Sequence, residues 1–153
     1  MRNNTFSFIF CEHFIEHLSV DDGPKFLKEC YRILRVGGIL RITTPDLNKL
    51  IRLYFDVNEF AKREEVMKVI YGKEANLPPC EMFNNYMRRW GHKFIYDTEF
   101  LTSILKKAGF TNFTFCENKK SNHEDLANIE RHYEDYKWMN PAETITIEAE
   151  KPS

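Results

Sequence analysis

Five chemically active side chains lie close together near the start of the sequence. Cys11, Glu12 and His13 are followed by Glu16 and His17 in the segment CEHFIEHL. Residues 13–17 spell H-x-x-E-H, a pattern in which two histidines one helical turn apart bind zinc and the glutamate activates a water molecule. This pattern makes a zinc metalloprotease one hypothesis for the protein.

The surroundings of this pattern argue against a zinc site. The pattern must lie on a helix, whereas here it follows a predicted strand and comes shortly before Gly23 and Pro24, which mark a helix start. A third ligand is needed downstream, and no sequence pattern selects Glu81 or Glu99 for that role. We therefore expect no metal site, and the metalloprotease remains an alternative that rests on these letters alone.

Two predicted strands and a helix between them must position these side chains. Alternating phenylalanines mark an apolar strand at about residues 6–11, and apolar residues at helical spacing predict a helix at about 24–35. Gly37 and Gly38 are expected to end this helix. Isoleucine, leucine and threonine side chains at residues 39–44 then predict the second strand.

The second strand also ends in polar groups, because Thr44 is followed by Pro45 and Asp46. In parallel α/β sheets, ligands bind beyond the carboxyl ends of the strands. The segment after the first strand and this second strand end should therefore face the same edge of the sheet. That edge is the candidate site.

A helical insertion is predicted over residues 47–90, with a break near Asp56 and a loop at Pro78 and Pro79. Its second half carries a stripe of apolar side chains at helical spacing: Met82, Phe83, Tyr86, Met87 and Trp90. Core packing is the interpretation we favour for this stripe, and a substrate pocket is the alternative.

The sequence of the last third of the chain predicts a helix, two strands and, between the strands, a charged and partly exposed segment that we call the charged excursion. Thr98 is expected to cap the helix and Gly109 to close it. A strand follows near residues 113–116, then the charged excursion over 117–142, and an alternating final strand at 144–150. The sequence thus predicts a single α/β domain over residues 1–153.

Composition limits the partners that are expected. The 153 residues are 42% hydrophobic, which is enough for one buried core. A net charge of −1 gives no global attraction to nucleic acid or to an anionic membrane. No apolar stretch approaches the roughly 20 residues of a membrane span and no signal segment follows Met1, so we expect a cytoplasmic protein. The four widely spaced cysteines favour reduced, mostly buried thiols.

Several segments together resemble the carboxyl-terminal half of a class I S-adenosylmethionine-dependent methyltransferase of the broad methyltransferase-domain group. They occur in the family's order: FSFIFCEHFIEHL, FLKECYRILRVGG, ILRITTPDL, GHKFIYDTEFLTSILKKAGF and TITIEAEKP. The resemblance implies a Rossmann-like sheet of seven strands, six parallel and one antiparallel. This chain would supply a partial sheet, strands four to seven, with the last strand antiparallel.

The resemblance also shows what this sequence lacks. Such enzymes bind the cofactor through a glycine-rich turn after the first strand and an acidic residue after the second, and the six glycines here have no G-x-G spacing. The strand Phe6 to Phe10 would then be an exposed apolar edge. We expect it to be covered by a missing amino-terminal half, by a second copy in a homo-oligomer, or by another polypeptide.

The resemblance implies roles for particular residues. Cys11, Glu12 and His13 occupy the position that lines the methionine end of the cofactor, although Glu12 and His13 equally suit a structural cap of the following turn. The residues on the substrate side would be Glu16, His17, Thr44, Pro45, Asp46 and Tyr96, with a structural role as the alternative for Glu16 and His17. His92 is a candidate general base, with a structural, hydrogen-bonded histidine as the alternative.

The function implied by the resemblance is methyl transfer from S-adenosylmethionine to an acceptor that the sequence does not specify. The isolated chain is expected to bind this cofactor weakly or not at all, because the glycine-rich turn is missing. The alternative from another class is a non-catalytic, methyltransferase-like module that pairs through its exposed strand edge.

Overall fold

The structure of the protein is a computed structural model that describes residues 2–55, 64, 68, 78–132 and 143–153. The strands of these residues are β1 Phe6–Glu12, β2 Leu34–Pro45, β3 Thr111–Phe115 and β4 Thr144–Glu150. The helices are α1 Asp22–Ile33, α2 Leu47–Phe55, α3 Pro79–Arg88 and α4 Thr98–Ala108. Single turns of 3-10 helix lie at Ile15–His17, Arg89–Gly91 and Glu124–Leu126.

The described strands form one sheet in the order β1-β2-β4-β3. β1 and β2 run parallel, with Ile9 opposite Leu40 and Cys11 opposite Ile42. β4 lies between β2 and β3 and is antiparallel to both. This order confirms the predicted partial α/β sheet with an antiparallel last strand.

Gly37 and Gly38 lie inside β2 and do not end α1, which corrects the prediction from sequence. β2 begins directly after α1, and its pairing with β1 is interrupted by a bulge between Leu34 and Ile39. Gly37 has a φ of 71°, a backbone conformation that residues with a side chain rarely adopt. A Cβ at Gly38 would lie 2.8 Å from a backbone oxygen, so the bulge leaves no room for a side chain there.

One apolar cluster joins the sheet to α1 and α4. Its buried members include Leu27, Leu40, Ile42, Leu101, Leu105 and Ile147. The ring of Tyr31 on α1 meets that of Phe110, just after α4, with centroids 5.3 Å apart. The two helices are therefore packed against the sheet through this cluster.

The insertion over residues 47–90 is helical where the structure describes it. α2 and α3 bury Met82 and Tyr86 in a second apolar cluster, which supports core packing as the role of these two stripe residues. Trp90 is 48% exposed and lies outside that core. The break predicted near Asp56 lies outside the described residues, as does most of the segment that joins the two helices.

Two helix starts differ from the sequence prediction. Pro79 is the first residue of α3, where a missing N–H costs no hydrogen bond, and so does not mark a loop. Asp97, not Thr98, caps α4, because its carboxylate accepts the N–H of Phe100 at 2.7 Å. Gly109 closes α4 as predicted, with a φ of 109°.

All four cysteines are free thiols, as the sequence predicted. Only Cys11 and Cys30 are buried, whereas Cys116 is half-buried and Cys80 exposed. None of the helices within the described ranges combines the length and the apolar character that a membrane span requires.

Candidate functional site

The segment after β1 carries Glu16 into the interior. The N–H of His13 donates to the carbonyl of Thr43 at 2.9 Å, which extends the contact of β1 with β2 by one residue. His13 itself has a positive φ of 43°, and the chain then enters the 3-10 turn at Ile15–His17. The side chain of Glu16, within that turn, is fully buried.

The H-x-x-E-H letters do not lie on an α-helix. Residues 15–17 form a single 3-10 turn, and His13 precedes it in a left-handed conformation. A metalloprotease needs both histidines one helical turn apart on one helix face. The structure therefore gives the metalloprotease alternative no support.

The carboxylate of Glu16 meets groups from both strand ends. The hydroxyl of Thr44 donates to Oε2 at 3.0 Å. The other oxygen, Oε1, lies 3.3 Å from Nδ1 of His13 and 4.0 Å from Nε2 of His17. Burial raises the pKa of Glu16, but the contacts with His13 and Thr44 outweigh it and lower the pKa below its ordinary value. Glu16 is therefore a buried carboxylate that stays ionised at neutral pH.

His92 reaches Glu16 because backbone hydrogen bonds join their two segments. The N–H groups of Lys93 and Phe94 donate to the carbonyl of Glu16 at 2.8 and 3.1 Å. Nδ1 of His92 lies 2.8 Å from the carbonyl oxygen of Tyr86, which can only accept, so Nδ1 carries the proton and Nε2 the lone pair. Burial lowers the pKa of His92, so its imidazole is neutral near pH 7.

Glu16, His17 and His92 thus form a group that we call the carboxylate-histidine cluster. One donor atom from each residue lies within 4.8 Å of the others. The rings of His17 and His92 meet edge to face with centroids 5.0 Å apart. The side chain of His17 is 34% exposed, so the cluster reaches the surface through this residue. Its carboxylate and imidazole groups can accept protons or bind a metal ion.

Cys11 and Tyr96 are buried groups that stay protonated. Burial, together with the nearby Cys30 and Glu16, raises the pKa of the Cys11 thiol to about 12. Burial and the charge of Glu16 raise the pKa of the Tyr96 hydroxyl to about 12 as well. Neither is a nucleophile or a base at neutral pH, so the cofactor role predicted for Cys11 and the substrate role predicted for Tyr96 would be those of neutral groups.

Glu12 binds the protein's own backbone. Its carboxylate accepts the N–H groups of Arg131 and His132, each at 2.9 Å. The adjacent His13 stacks on the ring of His132 with 3.7 Å between centroids. Burial lowers the pKa of His132 to about 4. Sequence reasoning missed His132, because nothing in the charged excursion distinguishes it from its neighbours.

Pro45 and Asp46 also make structural contacts. Pro45 pairs with Thr144 of β4. The carboxylate of Asp46 accepts the N–H of Asn48 at 2.9 Å, where α2 begins, and burial raises the pKa of Asp46. These contacts shape the end of β2, and the substrate-side role of both residues stays a prediction.

A family model described as Methyltransferase domain matches residues 1–42. The match covers β1, α1 and most of β2, together with the segment that carries Glu16 and His17. The comparison with curated proteins found no match.

Solved structures match nearly the whole chain at low sequence identity. A possible exported protein of Bordetella parapertussis has a TM-score of 0.55 at 11% identity, over 99% of this chain and 40% of its own. An S-adenosylmethionine-dependent methyltransferase of Archaeoglobus fulgidus has a TM-score of 0.51 at 19% identity, and the match covers 99% of this chain and 62% of that protein. Phosphoethanolamine N-methyltransferase 2 of Haemonchus contortus was solved in complex with phosphomonomethylethanolamine and S-adenosylhomocysteine. It has a TM-score of 0.54 at 16% identity, and the match covers 99% of this chain and 35% of that protein.

The chain spans less than two thirds of the length of each of these three proteins. At such low identity the likeness shows the fold and not the chemistry. The predicted resemblance is thus confirmed for the family match and the fold: residues 1–42 match a methyltransferase-domain model, and the described chain has a fold similar to those of S-adenosylmethionine-dependent methyltransferases. Its correspondence to their carboxyl-terminal half stays a prediction.

Proposed function

We propose that this chain supplies part of an S-adenosylmethionine-dependent methyltransferase. The observation that carries the proposal is the strand order β1-β2-β4-β3, in which the antiparallel β4 lies between β2 and β3. The family match over residues 1–42 supports it from the sequence side. In this proposal the strands correspond to the carboxyl-terminal half of the family's sheet.

The proposed reaction moves a methyl group from the sulfonium of S-adenosylmethionine to a nucleophile of the acceptor. The bond from carbon to sulfur breaks as the bond from carbon to the nucleophile forms, and S-adenosylhomocysteine leaves as a neutral thioether. An acceptor that carries a proton must also lose it to a base. Alignment of the donor with the acceptor would supply much of the rate.

Cys11 and Glu12, which were expected at the methionine end of the cofactor, are poorly suited to bind its charged groups. The Cys11 thiol is buried in the core, and the Glu12 carboxylate is held by two backbone N–H groups. The glycine-rich turn and the acidic ribose partner do not occur in this sequence. We infer that a further segment supplies most of the cofactor contacts and that the 153-residue chain alone binds S-adenosylmethionine weakly.

β1 provides the place where such a segment would join. In the described sheet β1 pairs only with β2, and Phe6 on this strand is 38% exposed. An apolar strand with an open edge invites pairing with another strand. We favour an amino-terminal segment of a longer protein over a second copy of this chain, because the matched structures extend well beyond the matched region.

The acceptor would bind at the carboxylate-histidine cluster, beside Thr44. His17 opens the cluster to solvent, and Nε2 of His92 has a lone pair that could accept a proton from the acceptor. The general-base role of His92 is a prediction. The hydrogen bond from its Nδ1 to Tyr86 supports it, because that bond leaves the lone pair on Nε2.

Isothermal titration calorimetry with S-adenosylmethionine tests this function. The two samples are the 153-residue chain and the product of the same reading frame extended upstream. We expect the extended protein to bind with about micromolar affinity and the chain alone to bind much more weakly. Failure of both to bind would overturn the proposal and favour the non-catalytic module. Equal affinity of the two would contradict the need for a further segment.

A further inference from the structure

We infer that the carboxylate-histidine cluster binds a divalent transition-metal ion such as Zn²⁺, with Glu16, His17 and His92 as its ligands. Within the described ranges of the chain, these residues form the one group of three histidine, cysteine or acidic side chains whose donor atoms lie within 4.8 Å of one another. Two imidazoles and one carboxylate are a donor set of zinc sites that keep an open position. Mg²⁺ and Ca²⁺ prefer all-oxygen sites and fit this set less well.

The distances suit a metal after small side-chain rotations. Bonds of about 2.0–2.2 Å to zinc place tetrahedral donors roughly 3.4 Å apart. Oε1 of Glu16 and Nε2 of His17 are 4.0 Å apart. Because His17 is partly exposed, it can turn toward Glu16 without displacing core residues.

Neighbouring groups orient the donor atoms in the way that metal ligands are usually oriented. Thr44 donates to Oε2 of Glu16, while Oε1 lies 3.3 Å from Nδ1 of His13 and 4.0 Å from Nε2 of His17. His92 donates from Nδ1 to the carbonyl of Tyr86, which leaves Nε2 for a metal. A histidine ligand almost always holds its second nitrogen in such a hydrogen bond.

The backbone fixes the approach of His92 before any metal binds. Trp90 and Gly91, the two residues that precede it, have φ values of 60° and 84°. A positive φ at a tryptophan is a strained conformation that the surrounding structure must maintain. The hydrogen bonds from Lys93 and Phe94 to the carbonyl of Glu16 hold this turn against the turn after β1.

This site differs from the zinc site that the letters H-x-x-E-H suggested. It uses Glu16 as a ligand and His92 as the third one, whereas His13 is not a ligand and contacts Oε1 of Glu16 through Nδ1 at 3.3 Å. Sequence spacing could not select His92, because it lies in a distant segment that only folding brings to the cluster. Because His17 is partly exposed, water or an oxygen atom of a ligand would have access to a metal ion held by these residues.

A metal ion at the cluster would change the chemistry proposed for methyl transfer, a consequence that rests on the proposed function. With Nε2 of His92 bound to the metal, that nitrogen no longer accepts a proton. The metal itself would instead lower the pKa of an oxygen bound to it. Metal binding can be measured without methyl transfer, so the two proposals fail separately.

Titration of the metal-free, untagged chain with Zn²⁺ by calorimetry tests the site, and Co²⁺ absorption reports its ligand geometry. We expect one Zn²⁺ per chain. His17→Ala should weaken binding by about 100-fold or more, because it removes a ligand. Thr44→Val should weaken it by about tenfold, because it removes only a hydrogen bond to a ligand. His123→Ala, which removes a histidine outside the cluster, is the matched control and should bind as the wild type does.

Circular dichroism of each variant verifies that it is folded, and His17→Ala is the safest variant because its side chain is partly exposed. Absence of Zn²⁺ binding by the wild-type chain would overturn the inference. Equal loss of affinity in His123→Ala and His17→Ala would overturn it too, since the ion would then bind elsewhere. A Co²⁺ spectrum unchanged by His92→Asn would exclude His92 as a ligand and likewise reject the site.

Discussion

The hydroxyl of Thr44 donates a 3.0 Å hydrogen bond to the carboxylate of Glu16 and so links the end of β2 to the turn after β1. Both side chains are fully buried, so water cannot replace this bond. The adjacent Thr43 is equally buried, yet its hydroxyl has no hydrogen-bond partner among the residues that the structure describes. Thr43 and Thr44 therefore differ in whether the buried hydroxyl is hydrogen-bonded, and valine variants of the two can be compared directly.

Thr44→Val is expected to lower the free energy of unfolding by about 1–3 kcal/mol, because the buried carboxylate of Glu16 loses one of its hydrogen bonds. Thr43→Val should leave stability unchanged or raise it slightly, because it replaces an unpaired hydroxyl by a methyl group. Urea denaturation followed by circular dichroism measures both. If Thr43→Val destabilised as much as Thr44→Val, packing and not the hydrogen bond would explain the effect.

Arg41 is the basis of a second prediction, because its guanidinium lies fully buried between two acidic residues. Its Nε donates to Glu130 at 2.7 Å, and its Nη1 donates to Glu148 at 2.5 Å. Arg41→Met should lower the free energy of unfolding by about 3–5 kcal/mol, since two buried carboxylates would lose their cation. Urea denaturation provides the measurement.

The control for Arg41 is Arg32→Met, which removes an arginine paired with Glu29 on the surface of α1. Exposed ion pairs contribute little, so we expect almost no change in the denaturation midpoint. Similar midpoints for the Arg41 and Arg32 variants would show that the buried network does not contribute to stability.

Much of the fold could be predicted because local patterns and the resemblance agreed. Alternating residues predicted the strands β1 and β4, and Gly109 predicted the end of α4. Gly37 and Gly38 were misplaced, because a double glycine ends a helix and forms a strand bulge equally well, and only pairing with β1 decides between the two. The cap of α4 was misplaced by one residue, because Asp97 and Thr98 can both cap a helix.

The candidate site could be predicted only in part. Glu16, His17 and Thr44 were placed on one side of the sheet by their positions after strands, and the structure brings them together with His92. Glu12 was expected at the cofactor, whereas its carboxylate binds backbone far along the chain. Local sequence shows which side chains leave a strand end but not which distant backbone groups will meet them.

A third prediction concerns two glycines with positive φ. Gly109 has a φ of 109°, and a Cβ there would lie 2.8 Å from the ring of Tyr31, whereas Gly37 has a φ of 71° and open space around it. Gly37→Ala should cost about 1–2 kcal/mol of unfolding free energy for its conformation alone. Gly109→Ala should cost more, because it adds a steric clash. Thermal denaturation compares the two, and an equal loss would contradict the predicted clash.

Thiol reactivity tests the burial of the cysteines. Cys80 is exposed and should react first with a thiol reagent in the native protein. Cys11 and Cys30 should react only after unfolding, because both are buried and burial raises the pKa of each thiol to about 12. Mass spectrometry after timed labelling identifies the modified residues. Fast labelling of Cys11 in the native protein would show that the end of β1 is open.

The final prediction separates a structural role of Glu12 from a cofactor role. Glu12→Ala removes the acceptor of the Arg131 and His132 N–H groups, so amide hydrogen exchange at these two residues should become about tenfold faster. Glu124→Ala, which removes another acidic side chain on the surface, should leave this exchange unchanged.

Hydrogen exchange measured by NMR distinguishes the outcomes for Glu12→Ala. Faster exchange confined to this segment and to the adjacent turn of His13, on which His132 stacks, would show that Glu12 holds it. Unchanged exchange would contradict the backbone contact and leave the Glu12 carboxylate available for a ligand. Faster exchange throughout the molecule would mean that the substitution destabilises the whole fold, which a contact confined to one strand end should not do.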